Sequence, residues 1–190
     1  TWRQRVRPAM QMSAYVVGDP STRDFEKHFK GYAKMPELPG AKDEADLVSK
    51  ALRQGGFQVE EAIGQSTDGI DVIHKLFQRP YRVVHIAAHG MFEVRPDGGG
   101  PETARTGVVL SDGLFLTAAE LRQMEQVPDL VFLNCCHLGE MDADSRQAEN
   151  EGYRLAASIS RELIEMGVRA VVAAGWPVND RAARHFATVF

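Results

Sequence analysis

Two short segments carry side chains able to make and break covalent bonds. One is His89-Gly90, closing the apolar run from Arg82 to Ala88; the other is Asn134-Cys135-Cys136-His137, closing the run from Asp129. A thiol is a weak nucleophile until it loses its proton, with a free pKa of about 8.5. A neighbouring imidazole stabilises the thiolate and can later protonate a leaving amine. His89 and Cys136 stand 136 − 89 = 47 residues apart, so they become partners only if the fold brings two strand ends to one edge. Side chains alternate along a strand, so only one of Cys135 and Cys136 can face that edge. Gly90 adds no side chain to obstruct a substrate, and its N–H, with that of Cys136, could face the oxyanion of a tetrahedral intermediate. His85, inside the run, reads as a buried structural histidine. A metal centre from His89, Cys135, Cys136 and His137 would lack the spaced cysteine pair that such sites use; neither metal nor cofactor is expected.

The elements that must deliver these residues follow from periodicity and turn chemistry. Ser13 to Val17 is a first strand, stopped by Gly18-Asp19-Pro20. A Gly/Pro-rich loop follows, with a short helix around Phe25 to Phe29. Ala41 to Gln54 carries Leu47, Val48, Ala51 and Leu52 at helical spacing and ends at Gly55-Gly56; Phe57 to Ile63 is a second strand. Ser66 or Thr67 caps a helix running to Gln78. The third strand, Arg82 to Ala88, is apolar on both faces, as a buried parallel strand is. Ser111-Asp112-Gly113 signals a hairpin between 107–110 and 114–116, and Thr117 with Glu120 forms a capping box. Asp129 to Asn134 is a fourth strand, Glu140 to Asn150 an acidic loop, Gly152 to Met166 an amphipathic helix, and Val168 to Ala174 a fifth strand. Trp176-Pro177-Val178-Asn179-Asp180 leads to a last helix from Arg181. Alternating strands and helices predict an α/β/α sandwich around a mostly parallel sheet, with the hairpin as an insertion. Sites in such sheets gather at the carboxyl ends of the strands, and Asp19, His89, Asn134 to Cys136 and Gly175 to Asp180 all fall there.

The segments Val83-Val84-His85-Ile86-Ala87-Ala88-His89-Gly90 and Leu130-Val131-Phe132-Leu133-Asn134-Cys135-Cys136-His137-Leu138-Gly139 resemble the His-Gly and Cys motifs of CHAT domains, relatives of caspases and separase. Leu38-Pro39-Gly40-Ala41 before an acidic helix is similar to the family's segment after its first strand. Gly167 to Ala174 followed by Trp176 to Asp180 looks like its fifth strand and turn. Asn134-Cys135 departs from the Ser-Ala more usual in the family. The resemblance implies a caspase-like cysteine endopeptidase with Cys136 as nucleophile and His89 as acid/base partner. It also implies a specificity pocket drawn from the ends of strands one and five and from Asn134. Asp19 and Asp180 there would select Arg or Lys before the cleaved bond through charge-assisted hydrogen bonds, with Trp176 as a pocket wall. The loop 140–150 would be an activation loop, and a regulatory region would lie in the same longer chain, with residues 1–12 as a linker and 13–190 as the peptidase domain. A catalytically silent interaction module on the same fold is the alternative. A flavodoxin-like phosphate binder fits less well, because Gly18-Asp19-Pro20-Ser21-Thr22 is a poor Gly-rich loop.

Composition agrees with these readings. A hydrophobic share of 44%, a charged share of 25% and a net charge of −4 describe an ordinary globular chain. They give no electrostatic basis for broad binding to nucleic acid or to anionic lipid. No apolar run approaches the length of a membrane span. Two adjacent cysteines cannot form a disulfide framework, so a reducing, cytoplasmic setting is expected; a protein or peptide substrate is what the resemblance implies.

Overall fold

The computed structural model describes residues 12–124, 126–135 and 145–174. Five parallel strands form the central sheet: β1 (Ser13–Gly18), β2 (Gln58–Ile63), β3 (Val83–Ala87), β7 (Leu130–Asn134) and β8 (Ala170–Ala174), in the order β2-β1-β3-β7-β8. Helix α2 (Pro39–Gln54) connects β1 to β2, α3 (Gly69–Gln78) connects β2 to β3, and α5 (Ser145–Met166) precedes β8. This is the expected sandwich, and its helices cover both faces of the sheet.

The strands divide their side chains between the faces with a period of two. On one face Tyr15, Val17, Val84, Ile86, Ala88, Val131, Leu133 and Cys135 join Val72 and Leu76 of α3 and Leu155, Ile159 and Leu163 of α5 in the largest core cluster. On the other, Val16 packs with Ala45 and Val48 of α2. Helix α2 begins at Pro39, whose fixed φ suits the first turn of a helix, two residues before the start predicted from periodicity. It lies unusually close to the sheet: a Cβ on Gly18 would sit 2.3 Å from the Ala45 Cβ. Tyr15 stacks on Tyr81 at 5.2 Å and donates its hydroxyl to the Val72 carbonyl at 2.8 Å, tying β1 to α3 through the core.

The predicted hairpin is part of a larger insertion. Strands β5 (Arg105–Val109) and β6 (Phe115–Leu116) flank a 3-10 turn at Ser111–Gly113, and β4 (Gly90–Val94) pairs with β5 to make a three-stranded antiparallel sheet. Helix α1 (Phe25–His28) and the segment after it cover this small sheet with Phe25 and Phe29, which pack on Phe115, Met91 and Val109. Helix α4 (Ala118–Arg122) starts with the expected capping box: Thr117 accepts from the Ala119 N–H, and Glu120 accepts from the Thr117 N–H at 2.8 Å. Helix α5 begins at Ser145, so 145–150, read from the sequence as loop, is its first turn and a half. Residues 1–11, most of the expected linker, lie outside the described part, as does the expected last helix.

Candidate active site

The rim at the carboxyl end of the sheet is built from the ends of three neighbouring strands. Gly18 of β1 is in register with Ala87 of β3, and Ala87 with Asn134 of β7. The Asp19 N–H donates to the Ala87 carbonyl at 2.9 Å, and the Ala88 N–H to the Asn134 carbonyl at 3.1 Å. Asp19, Ala88 and the residue after Asn134 therefore leave the sheet at one level.

His89 follows immediately and is buried at 3% exposure. Its Nε2 lies 2.8 Å from the backbone oxygen of Pro36. A carbonyl only accepts, so Nε2 carries the hydrogen, and in the neutral ring Nδ1 is the basic nitrogen. The Pro36 carbonyl comes from the loop before α2, and two contacts hold that loop against the rim. One is the His89 bond; the other runs from the Leu38 N–H to Asp19 Oδ1 at 3.1 Å.

Asp19 is itself 3% exposed and takes a left-handed conformation at φ 47°. Its Oδ1 also accepts from the Gln65 amide at 2.8 Å. Burial pushes its carboxyl above the ordinary value, while the Leu38 N–H, the Gln65 amide and the charge of His89 work in the other direction.

Gly90 opens β4. It pairs with Val108, and the Val109 N–H donates to the His89 carbonyl at 2.9 Å. Gly90 is therefore the non-hydrogen-bonded member of its antiparallel pair, and the ladder to β5 does not use its N–H. The missing side chain is a steric necessity. A Cβ here would meet Leu155 Cδ2 at 2.5 Å, the Cys135 carbonyl oxygen at 2.6 Å and Cys135 Cβ at 2.8 Å. The His89-Gly90 backbone thus rests directly on Cys135.

Cys135 faces the large core and is 5% exposed, on the side of Val131 and Leu133. Phe132 and Asn134 point to the opposite face. There the Phe132 ring stacks on His85 at 4.7 Å, and the Asn134 amide donates to Glu44 Oε2 of α2 at 2.8 Å. His85 is buried, as its place inside β3 predicted. Cys136, Trp176 and Asp180 lie outside the described residues. Among the described residues no group of three His, Cys, Asp or Glu side chains is arranged to hold a metal ion, and no helix is long and apolar enough to cross a membrane.

Three participants at this rim were not singled out in the sequence. The Pro36 carbonyl carries no sequence signal, because every residue has one. Gln65 stands in a polar turn with nothing to distinguish it. Glu44 did leave a trace: it sits beside Ala45 and one turn before Val48, on the stripe that α2 buries, where a carboxylate is out of place.

The parallel five-stranded sheet, the small antiparallel insertion and the rim that carries His89 define a caspase-like α/β fold. The CHAT domain model matches residues 2–190, nearly the whole chain. The chain belongs to the CHAT domain family, a family of caspase-like cysteine peptidases. No curated protein matches it.

Proposed function

We propose that this domain is a cysteine endopeptidase in which Cys136 is the nucleophile and His89 its acid/base partner. One observation carries the reading. Ala87 of β3 and Asn134 of β7 are registered neighbours, an offset of 134 − 87 = 47, and His89 and Cys136 are separated by the same offset. Each follows its registered residue by two in the sequence, and the registered residues end adjacent parallel strands. Cys135 packs in the core, which supports Cys136 over the rival thiol.

The chemistry follows from the state of His89. With Nε2–H bound to Pro36, Nδ1 accepts the Cys136 proton and the thiolate attacks the scissile carbonyl carbon. The oxyanion draws on the N–H of Gly90 and that of Cys136. His89 then gives its proton to the leaving nitrogen, the C–N bond breaks, and a thioester remains. Water, deprotonated by His89, hydrolyses the thioester and releases the acid and the thiol. The Pro36 carbonyl stabilises the imidazolium formed in each half-reaction.

The substrate is a protein or peptide, cleaved after Arg or Lys. The basic preference rests on the buried Asp19 carboxylate at the end of β1, beside His89, joined by Asp180, with Asn134 and Trp176 as further pocket residues. The test combines labelling and cleavage. Iodoacetamide should label Cys136 in preference to Cys135, and His89→Ala should slow that labelling. A peptide library should yield new termini after Arg or Lys with wild type and none with Cys136→Ala. Equal labelling of Cys136 in wild type and His89→Ala, with no cleavage, would leave a catalytically silent interaction module. Cleavage after apolar residues or Asp would overturn the basic preference alone.

A further inference from the structure

Beneath the rim lies a buried polar group that the proposed chemistry does not use. Glu44 of α2 is 1% exposed and His85 of β3 is 2% exposed. One Glu44 oxygen, Oε2, accepts from the Asn134 amide of β7 at 2.8 Å. The other, Oε1, is 3.0 Å from His85 Nε2, though neither of these two atoms makes a directed hydrogen bond. His85 in turn lies flat against Phe132, its registered neighbour on β7. A single carboxylate thus bridges the two strands that lead to His89 and to Cys136.

Burying such a carboxyl group is costly, and the bond from Asn134 to Oε2 is the contact that offsets the cost. The arrangement is therefore intolerant of slippage: a displacement of the end of β7 that breaks the Asn134 bond leaves a buried Glu44 oxygen without its donor. Apolar packing alone, as between Val16, Ala45 and Val48 on the same face, tolerates small shifts without such a penalty. The bridge also stands at the right height. Asn134 supplies both the amide bound to Glu44 and the carbonyl that receives the Ala88 N–H, one residue before His89.

We propose that Glu44 is a positioning residue, which through Asn134 and His85 locks the ends of β3 and β7 together and so sets the approach of His89 to Cys136. The catalytic half of this inference rests on the peptidase reading; the structural half does not. Two readouts separate them. The first is hydrogen exchange of the Ala88 amide, followed in peptides covering 83–90. The second is the rate at which iodoacetamide alkylates Cys136. Glu44→Ala should speed exchange of the Ala88 amide and slow alkylation, each on the order of tenfold or more. Glu44→Gln, which keeps the shape and an acceptor for Asn134, should recover most of both. Val48→Ala, from the same helix face and with a comparable fall in Tm, should change neither.

Should Glu44→Ala fail to fold, an exchange of partners answers the same question. Asn134→Asp sets a half-buried carboxylate against the buried one of Glu44, and Glu44→Gln in the same chain restores a donor–acceptor pair with the roles reversed. The double variant should regain Ala88 protection and Cys136 reactivity lost in Asn134→Asp alone. The inference is overturned if Glu44→Ala matches Val48→Ala in both readouts. It is equally overturned if the double variant regains its Tm without regaining Ala88 protection. If Ala88 protection falls in Glu44→Ala while wild-type Cys136 reacts no faster than in His89→Ala, the bridge stands and the peptidase reading fails.

Discussion

Replacing Gly90 with alanine probes the contact between the histidine segment and the cysteine segment. The new methyl carbon would have to occupy space 2.5 Å from Leu155 Cδ2, 2.6 Å from the Cys135 oxygen and 2.8 Å from Cys135 Cβ. Leu155 can change rotamer. The Cys135 oxygen is backbone and can move only with the end of β7. Overpacking of a tight interior costs about 1–3 kcal/mol, and a backbone obstacle puts this substitution in the upper part, about 2–3 kcal/mol. At about 2–4 °C per kcal/mol for a domain of this size, Tm should fall by about 4–12 °C. Cleavage should suffer more than stability. The shift separates the two segments that carry the proposed dyad, and a misplacement near 1 Å costs on the order of a hundredfold in rate. Calorimetry and peptide turnover would be measured on Gly90→Ala and on Gly90→Ala with Leu155→Ala. The double variant relieves only the Leu155 contact, so turnover should stay low. A Gly90→Ala protein with wild-type Tm and turnover, or full recovery of turnover in the double variant, would refute the reasoning.

Further outcomes follow from two other groups. A carboxyl raised by burial binds its proton more tightly in the folded state than in the unfolded one, so Asp19 favours the fold below its ordinary pKa of 3.8. That contribution fades as pH rises from there through the raised value. Asp19→Asn keeps an oxygen for Leu38 and Gln65, so it should be more stable than wild type at neutral pH, and the advantage should shrink in acid; a Tm series against pH checks the sign. The same variant should lose any preference for Arg and Lys in the peptide library. Tyr15→Phe leaves the Val72 carbonyl without its 2.8 Å donor inside the core. The expected cost is about 1–1.5 kcal/mol, read as a Tm fall of about 2–6 °C, with cleavage unchanged; a Tm equal to wild type would show that water replaces the hydroxyl.

The parts of the fold that could be read in advance are those whose physics is local or periodic. β3 and β7 are apolar on both faces because both faces are covered, and their sequences show it. The Thr117–Glu120 capping box forms within four residues and could be read directly. Strand β4 was missed because Gly90-Met91-Phe92-Glu93-Val94 has weak alternation and takes its identity from pairing with β5, which lies beyond a long loop. The start of α5 was missed because Ser145-Arg146-Gln147-Ala148-Glu149-Asn150 has no apolar stripe to reveal a period.

By itself the chain determined the order of the central strands and their helices and the ends at which reactive side chains emerge. These depend on neighbours in sequence and on the cost of leaving apolar surface in water. Tertiary structure alone decided that a backbone carbonyl from Pro36 fixes the His89 ring, that Asp19 is buried under Leu38 and Gln65, and that Glu44 bridges β3 and β7. Each of these joins groups at least 19 residues apart, and a hydrogen bond exists only where packing has already brought donor and acceptor within about 3 Å.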